Sequence, residues 1–239
     1  MLNMTVAVFF DVDDTLLDNY AAFKETLFAL SSLASLSEEQ MQKLYKNFRF
    51  YSEVIYKQYY ETRFINNINA RWQWVTKDLN MASDPLFLEE LDDLYHKNQQ
   101  KQKLSKGYID LFSFLEKNKV YFGVLTNGLE KTQANKIKQL NLLNYMTPER
   151  IFISESLNDA KPNFSCFEKV EQALPKIIDS WIYVGDSFTN DIEPLLNSRW
   201  LPVWLNRFNE KVMQDGYIEV KENEEAVMTL RKLIHSENF

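Results

Sequence analysis

Five short runs of this chain are almost unbroken in apolar residues: Val6–Phe10, Val120–Leu125, Arg150–Ser154, Trp181–Val184 and Leu201–Leu205. A strand with one wet face alternates apolar and polar side chains, whereas a run that is apolar throughout suits a strand covered on both faces. Helical patterns lie between the runs, such as Phe164, Phe167, Val170 and Leu174, which recur three to four residues apart. Alternating β and α elements predict an α/β fold, a doubly wound parallel sheet with helices on both sides. Five glycines among 239 residues are also few for an all-β chain, which needs more turns.

One region breaks the alternation. From Asp18 to about Leu104 no strand pattern occurs. Tyr20, Phe23, Leu27 and Leu30 mark one helical stripe, and Ser37 with Gln40 three residues on reads as a capping box. Ile65, Ile68, Trp72, Val75 and Leu79 outline another stripe, and Asp84-Pro85 opens a further helix with Asp as N-cap. The length suits about 1.5 domains. Residues 1–17 and 105–239 are therefore expected to form the core, and 18–104 an inserted, all-helical domain. The insert is rich in aromatics: Phe48, Phe50, Tyr51, Tyr56, Tyr59, Tyr60, Trp72 and Trp74. At helical spacing these are expected to pack its core, the alternative being that one or two stack on a base or sugar. Arg49, Arg63 and Arg71 are expected on the solvated surface, or against a second anionic group. His96 and His235 are expected at the surface near helix ends.

Composition removes several function classes. A net charge of −7 argues against a nucleic-acid binder, which needs a basic surface. Cys166 is the only cysteine, so neither an intrachain disulfide nor a thiolate metal cluster can form; it is expected to be a packed core thiol. No stretch approaches the ~20 apolar residues that cross a bilayer, and Val6–Phe10 is too short for a signal peptide. A cytoplasmic protein without membrane partners is the expectation.

The first apolar run ends on Asp11-Val12-Asp13-Asp14-Thr15. Later come Leu125-Thr126-Asn127-Gly128, Ala160-Lys161-Pro162, and Val184-Gly185-Asp186 with Asp191 five residues on. In open α/β sheets ligands bind beyond the carboxyl ends of the strands. Asp11, Thr126 and Asp186 each stand at such an end, so distant segments are expected to converge on one crevice. Singly, each motif is a loop or a turn; the order of all four carries the inference. Asp11, Asp13, Asp186 and Asp191 would face one lysine, Lys161. Two like charges ~4 Å apart repel by about 4 kcal/mol at an effective dielectric near 20, so the cluster must take up protons or bind a cation. Hard oxygen ligands favour Mg²⁺ over Zn²⁺.

In order and spacing the four segments resemble the signature of the haloacid dehalogenase-like hydrolase superfamily. The resemblance implies a Rossmann-like core with a helical cap of the first type at residues 18–104, and Mg²⁺ held by the Asp11 carboxylate, the Asp13 backbone carbonyl and Asp186, with Asp191 helping from behind. It implies a phosphatase in which Asp11 attacks phosphorus, Asp13 serves as acid and then base, and Thr126, Asn127 and Lys161 hold the phosphoryl group. Asn127 has an equal alternative, capping the next helix. Dehalogenases of 2-haloacids resemble this architecture but lack the second aspartate and need no metal, so Asp13 favours phosphate esters. Phosphonate-cleaving relatives use a cap lysine, and nothing marks Lys24, Lys43, Lys46 or Lys57 for that part. The opening motif and Leu-Thr-Asn-Gly are most similar to the branch that includes pyrimidine 5′-nucleotidases, which implies a small phosphorylated metabolite such as a nucleoside monophosphate. The rivals are a 2-haloacid dehalogenase and a non-catalytic scaffold of the same fold. Glu193-Pro194-Leu195-Leu196 departs from the small residues usual after the last motif, with Pro194 expected in a first helical turn.

Overall fold

The computed structural model describes residues 5–30, 36–62, 69–81, 83–174 and 178–235. In chain order the elements are β1 (Val6–Phe10), α1 (Asn19–Phe28), α2 (Glu38–Thr62), α3 (Ala70–Asp78), α4 (Pro85–Lys101), α5 (Lys106–Lys117), β2 (Tyr121–Thr126) and α6 (Glu130–Gln139). There follow β3 (Ile151–Ile153), α7 (Ser154–Leu157), α8 (Phe164–Ala173), β4 (Ser180–Gly185), β5 (Trp200–Leu205), β6 (Ile218–Val220) and α9 (Asn223–His235). Among the described residues no helix is long and apolar enough to cross a membrane.

Among the described residues six strands form one parallel sheet, in the order β3-β2-β1-β4-β5-β6. This is a doubly wound Rossmann-like sheet, whose strand order reverses direction between β1 and β4. Side chains alternate across it. Val6, Val8 and Phe10 pack with Tyr108, Leu111 and Phe112 of α5 and with Ala226 and Leu230 of α9. Ala7 and Phe9 point the other way, into a layer with Cys166, Phe167 and Val170 of α8 and with Trp181 and Trp200. Cys166 is a buried thiol, pushed up to about 12 by burial. Strand β6 was not expected; at three residues it is too short to show a pattern. Beyond Asp186 the chain makes a π-helical turn, Phe188–Ile192, then a 3₁₀ turn, Glu193–Leu195. Pro194 stands at the start of that second turn, where its missing N–H is tolerated.

The chain divides into two compact units, Met1–Leu17 with Lys103–Phe239, and Asp18–Gln102. In the second unit α1 carries Phe23 and Leu27 inward. Ser37 and Gln40 exchange the hydrogen bonds of a capping box at the start of α2, and the Asp84 carboxylate caps α4 through the Phe87 amide. The aromatics divide into two sets. Phe48 and Trp72 are buried with Phe23 and Tyr95, the Phe48 and Trp72 rings 4.7 Å apart. Tyr51 and Trp74 instead stack on one another at 4.7 Å, and Trp74 and Phe50 are exposed. Arg71 corrects the expectation of a surface arginine: it lies over the Phe48 and Tyr95 rings and pairs with Asp92. His96 sits within α4 and approaches the same Asp92 at 3.3 Å, not at a helix end. His235 is the last residue of α9, edge-on to Phe114. Arg63, Ile65 and Ile68, with the side chains of Tyr59 and Tyr60, lie outside the described residues.

Candidate active site

The site grows from the loop after β1. The Asp11 amide donates to the Val184 carbonyl at 2.9 Å, carrying the β1–β4 ladder one residue beyond the strand. The Val12 carbonyl then accepts from the amides of Leu16 (3.0 Å) and Leu17 (2.9 Å), which folds the chain into a tight loop. Asp14 takes a left-handed conformation there, φ 58°, which aspartate tolerates better than most residues.

Lys161 is the hub. Its buried ammonium donates to Asp11 Oδ1 (2.8 Å), the Tyr183 hydroxyl (2.7 Å) and Asp191 Oδ1 (2.5 Å). The Tyr183 hydroxyl in turn donates to the Leu125 carbonyl at 2.7 Å. The other Asp191 oxygen accepts from the Ser187 amide at 3.0 Å. Gly185 makes room for this: a Cβ there would meet the Asp191 carboxylate at 2.3 Å. Burial works against the Lys161 charge, but Asp11 and Asp191 overcome it and hold the lysine protonated. Burial pushes Asp11 up to about 7 against the pull of Lys161, and Asp191, Asp186 and Asp13 push it the same way. A carboxyl so placed is short of positive charge.

Ligand oxygens of Asp11, Asp186 and Asp191 lie within 4.8 Å of one another. Such hard donors, around a carboxyl whose ionisation burial and like charge oppose, fit a hard divalent cation. Thr126 ends β2 with its hydroxyl buried and, among the described residues, without a hydrogen-bond partner. Buried hydroxyls are nearly always paired, and this one is an exception.

Asp13 goes elsewhere. Lys136 Nζ lies 2.7 Å from each of its carboxylate oxygens, and Gln133 Nε2 donates to Oδ2 at 2.9 Å. Sequence reasoning expected one lysine in the cluster and missed both residues. Their spacing of three on α6 was visible, but α6 reads as a polar, solvated helix, so a buried glutamine there gave no warning. Tyr183 was missed because, within an apolar run, it reads as a core side chain. Asn127 corrects the capping alternative: α6 is capped at Leu129 without a side-chain bond. The Asn127 amide instead grips the Lys161 backbone on both sides, donating to its carbonyl (2.8 Å) and accepting from its N–H (3.0 Å). Gly128, at φ 149°, makes the turn that follows.

The sequence model of the family described as haloacid dehalogenase-like hydrolase matches residues 8–198, which hold every residue of this site. The chain belongs to that family. Among curated relatives of this haloacid dehalogenase-like hydrolase, pyrimidine 5′-nucleotidase PynA of Streptococcus pneumoniae is 28% identical over 201 residues, 82% of each chain. The solved structure of the putative HAD-hydrolase YfnB of Bacillus subtilis, bound to magnesium, superposes with a TM-score of 0.66 at 22% identity, covering 95% of this chain and 99% of that one. The L-2-haloacid dehalogenase of Xanthobacter autotrophicus shares the fold too, with a TM-score of 0.65 at 13% identity over 96% of this chain and 99% of its own.

Proposed function

We propose that this protein is a Mg²⁺-dependent phosphate monoester hydrolase whose substrates are nucleoside 5′-monophosphates. One observation carries the reading: two carboxylates two residues apart stand in different surroundings, Asp11 buried against Lys161 and Asp13 partly exposed against Lys136. Carboxylates set in different environments take different roles. The Asp11 oxygen attacks phosphorus, the bond from phosphorus to the alcohol oxygen breaks, and Asp13 gives that oxygen its proton. Water then attacks the aspartyl-phosphate, Asp13 takes the water proton, and phosphate leaves Asp11. Lys161 and the Thr126 hydroxyl meet the charge that develops on the phosphoryl oxygens. Asp191, with both oxygens taken by Lys161 and Ser187, keeps the lysine in place. The Asp11 carboxylate, the Asp13 backbone carbonyl and Asp186 would hold Mg²⁺, which when bound neutralises the phosphoryl group against an anionic nucleophile.

The likeness to a pyrimidine 5′-nucleotidase over 82% of both chains supports the nucleotide class. Likeness to haloacid dehalogenases is likeness of fold, and the clamped acid at Asp13 has no use in displacing a halide. The test is release of inorganic phosphate from an aryl phosphate, with and without Mg²⁺, then from a panel of nucleotides and sugar phosphates, beside chloride release from a 2-chloroacid. Mg²⁺-dependent phosphate release, strongest with nucleoside monophosphates, is expected. Chloride release without phosphate release would overturn the reading in favour of a dehalogenase.

A further inference from the structure

Two side chains outside every motif hold Asp13. Gln133 and Lys136 stand three residues apart on α6, hence on one face. Gln133 is 2% exposed, and its amide orientation follows from chemistry. The nitrogen meets two acceptors, Asp13 Oδ2 and the Asn127 carbonyl, where an oxygen could bond to neither. The same Asn127 grips the Lys161 backbone. An unbroken path of hydrogen bonds thus runs from Asp13, through Gln133 and Asn127, to the loop that carries Lys161.

We infer that Gln133 and Lys136 are positioning residues that clamp the Asp13 carboxylate in register with the phosphate-holding lysine. The inference rests on the phosphatase reading above. A free aspartate on a loop samples several rotamers, whereas proton transfer requires heavy atoms about 2.6–3.2 Å apart. Lys136 bridges both carboxylate oxygens and Gln133 takes a further lone pair on one of them. Three contacts from one helix face fix the orientation of the group, which takes the water proton and returns it to the next leaving oxygen.

The test compares kcat/KM for an alkyl phosphate with kcat/KM for nitrophenyl phosphate, in wild type, Lys136→Met, Gln133→Met and Lys136→Arg. This constant covers the steps through departure of the alcohol. An alkoxide needs the Asp13 proton and a nitrophenolate does not. The ratio of the two constants is independent of how much enzyme is active, so a partly unfolded variant still reports. Lys136→Met should lower the alkyl constant about 30–100-fold, part of the 10²–10⁴-fold that acid–base catalysis contributes, and the nitrophenyl constant by less than about threefold. Lys136→Arg should restore most of the loss. Gln133→Met should shift the ratio in the same direction, and it replaces Lys136→Met if that variant does not fold. An unchanged ratio in folded variants of an active phosphatase would overturn the clamp alone. A wild type that cleaves no phosphate ester in Mg²⁺ would overturn the phosphatase reading, and the clamp with it.

Discussion

The Tyr183 hydroxyl on β4 donates a 2.7 Å hydrogen bond to the Leu125 carbonyl on β2, reaching across β1, the strand between them. The same oxygen accepts from Lys161, so a core tyrosine ties the sheet to the charged centre. Tyr183→Phe keeps the shape but leaves a buried carbonyl without its donor and Lys161 short of one acceptor. A loss of about 1–3 kcal/mol in stability is expected. Turnover should fall on the order of tenfold, less than the 10²–10³-fold that removing a stabilising donor itself brings. Urea unfolding and steady-state kinetics on one preparation check both; undiminished turnover would mean that Lys161 needs no third partner.

Asp11→Asn should abolish phosphate release while preserving the fold. The amide matches the carboxylate in shape but is a poor nucleophile, so a loss of at least about 10⁴-fold is expected, since Asp11 would form the covalent bond itself. Circular dichroism should be unchanged. Removing the charge also relieves crowding among Asp11, Asp186 and Asp191, so the variant should be no less stable than wild type.

Metal should stabilise the protein, and more so as pH rises. The folded-state value of Asp11 is raised to about 7 from 3.8, chiefly by burial. A raised carboxyl contributes stability that is fully present below its unfolded value and lost as pH rises through the folded one. Metal-free protein should therefore lose stability between about pH 4 and 7, and saturating Mg²⁺ should flatten that fall. Thermal melts in EDTA and in Mg²⁺ across this range provide the measurement. A shift in Tm independent of pH would show that the cation does not contact Asp11.

Within the helical unit, Asp92 makes the opposite pH statement. Burial alone would raise it, but hydrogen bonds from His96 and Arg71 and the Arg71 charge lower it to about 2 from 3.8. A depressed carboxyl contributes above its unfolded value, and the contribution is lost as pH falls through the folded one. About 2 kcal/mol of the unit's stability should therefore disappear between about pH 4 and 2. Asp92→Asn should lower stability at pH 7 and lose less on acidification than wild type, as followed by tryptophan fluorescence, since Trp72 Nε1 also donates to Asp92.

Much of this was legible in the chain itself. Unbroken apolar runs announce strands covered on both faces, and the polar residues that end them mark the crevice, because helices cover both faces of the sheet and polar side chains reach open space only at the strand ends. Asp11, Thr126 and Asp186 were picked out that way and Lys161 by the order of the motifs; the capping box at Ser37 and the Asp84 cap were legible because donor and acceptor are sequence neighbours. Partnerships across long separations were not legible. Nothing local distinguishes Lys136, which meets Asp13 across 123 positions, from a solvated helix lysine. Arg71 likewise turned inward because Asp92 and two aromatic faces awaited it. Local pattern records which face of an element is buried, since that depends on period alone. Which polar group meets which is decided when the elements pack, because a buried charge then tolerates only the partner that satisfies it.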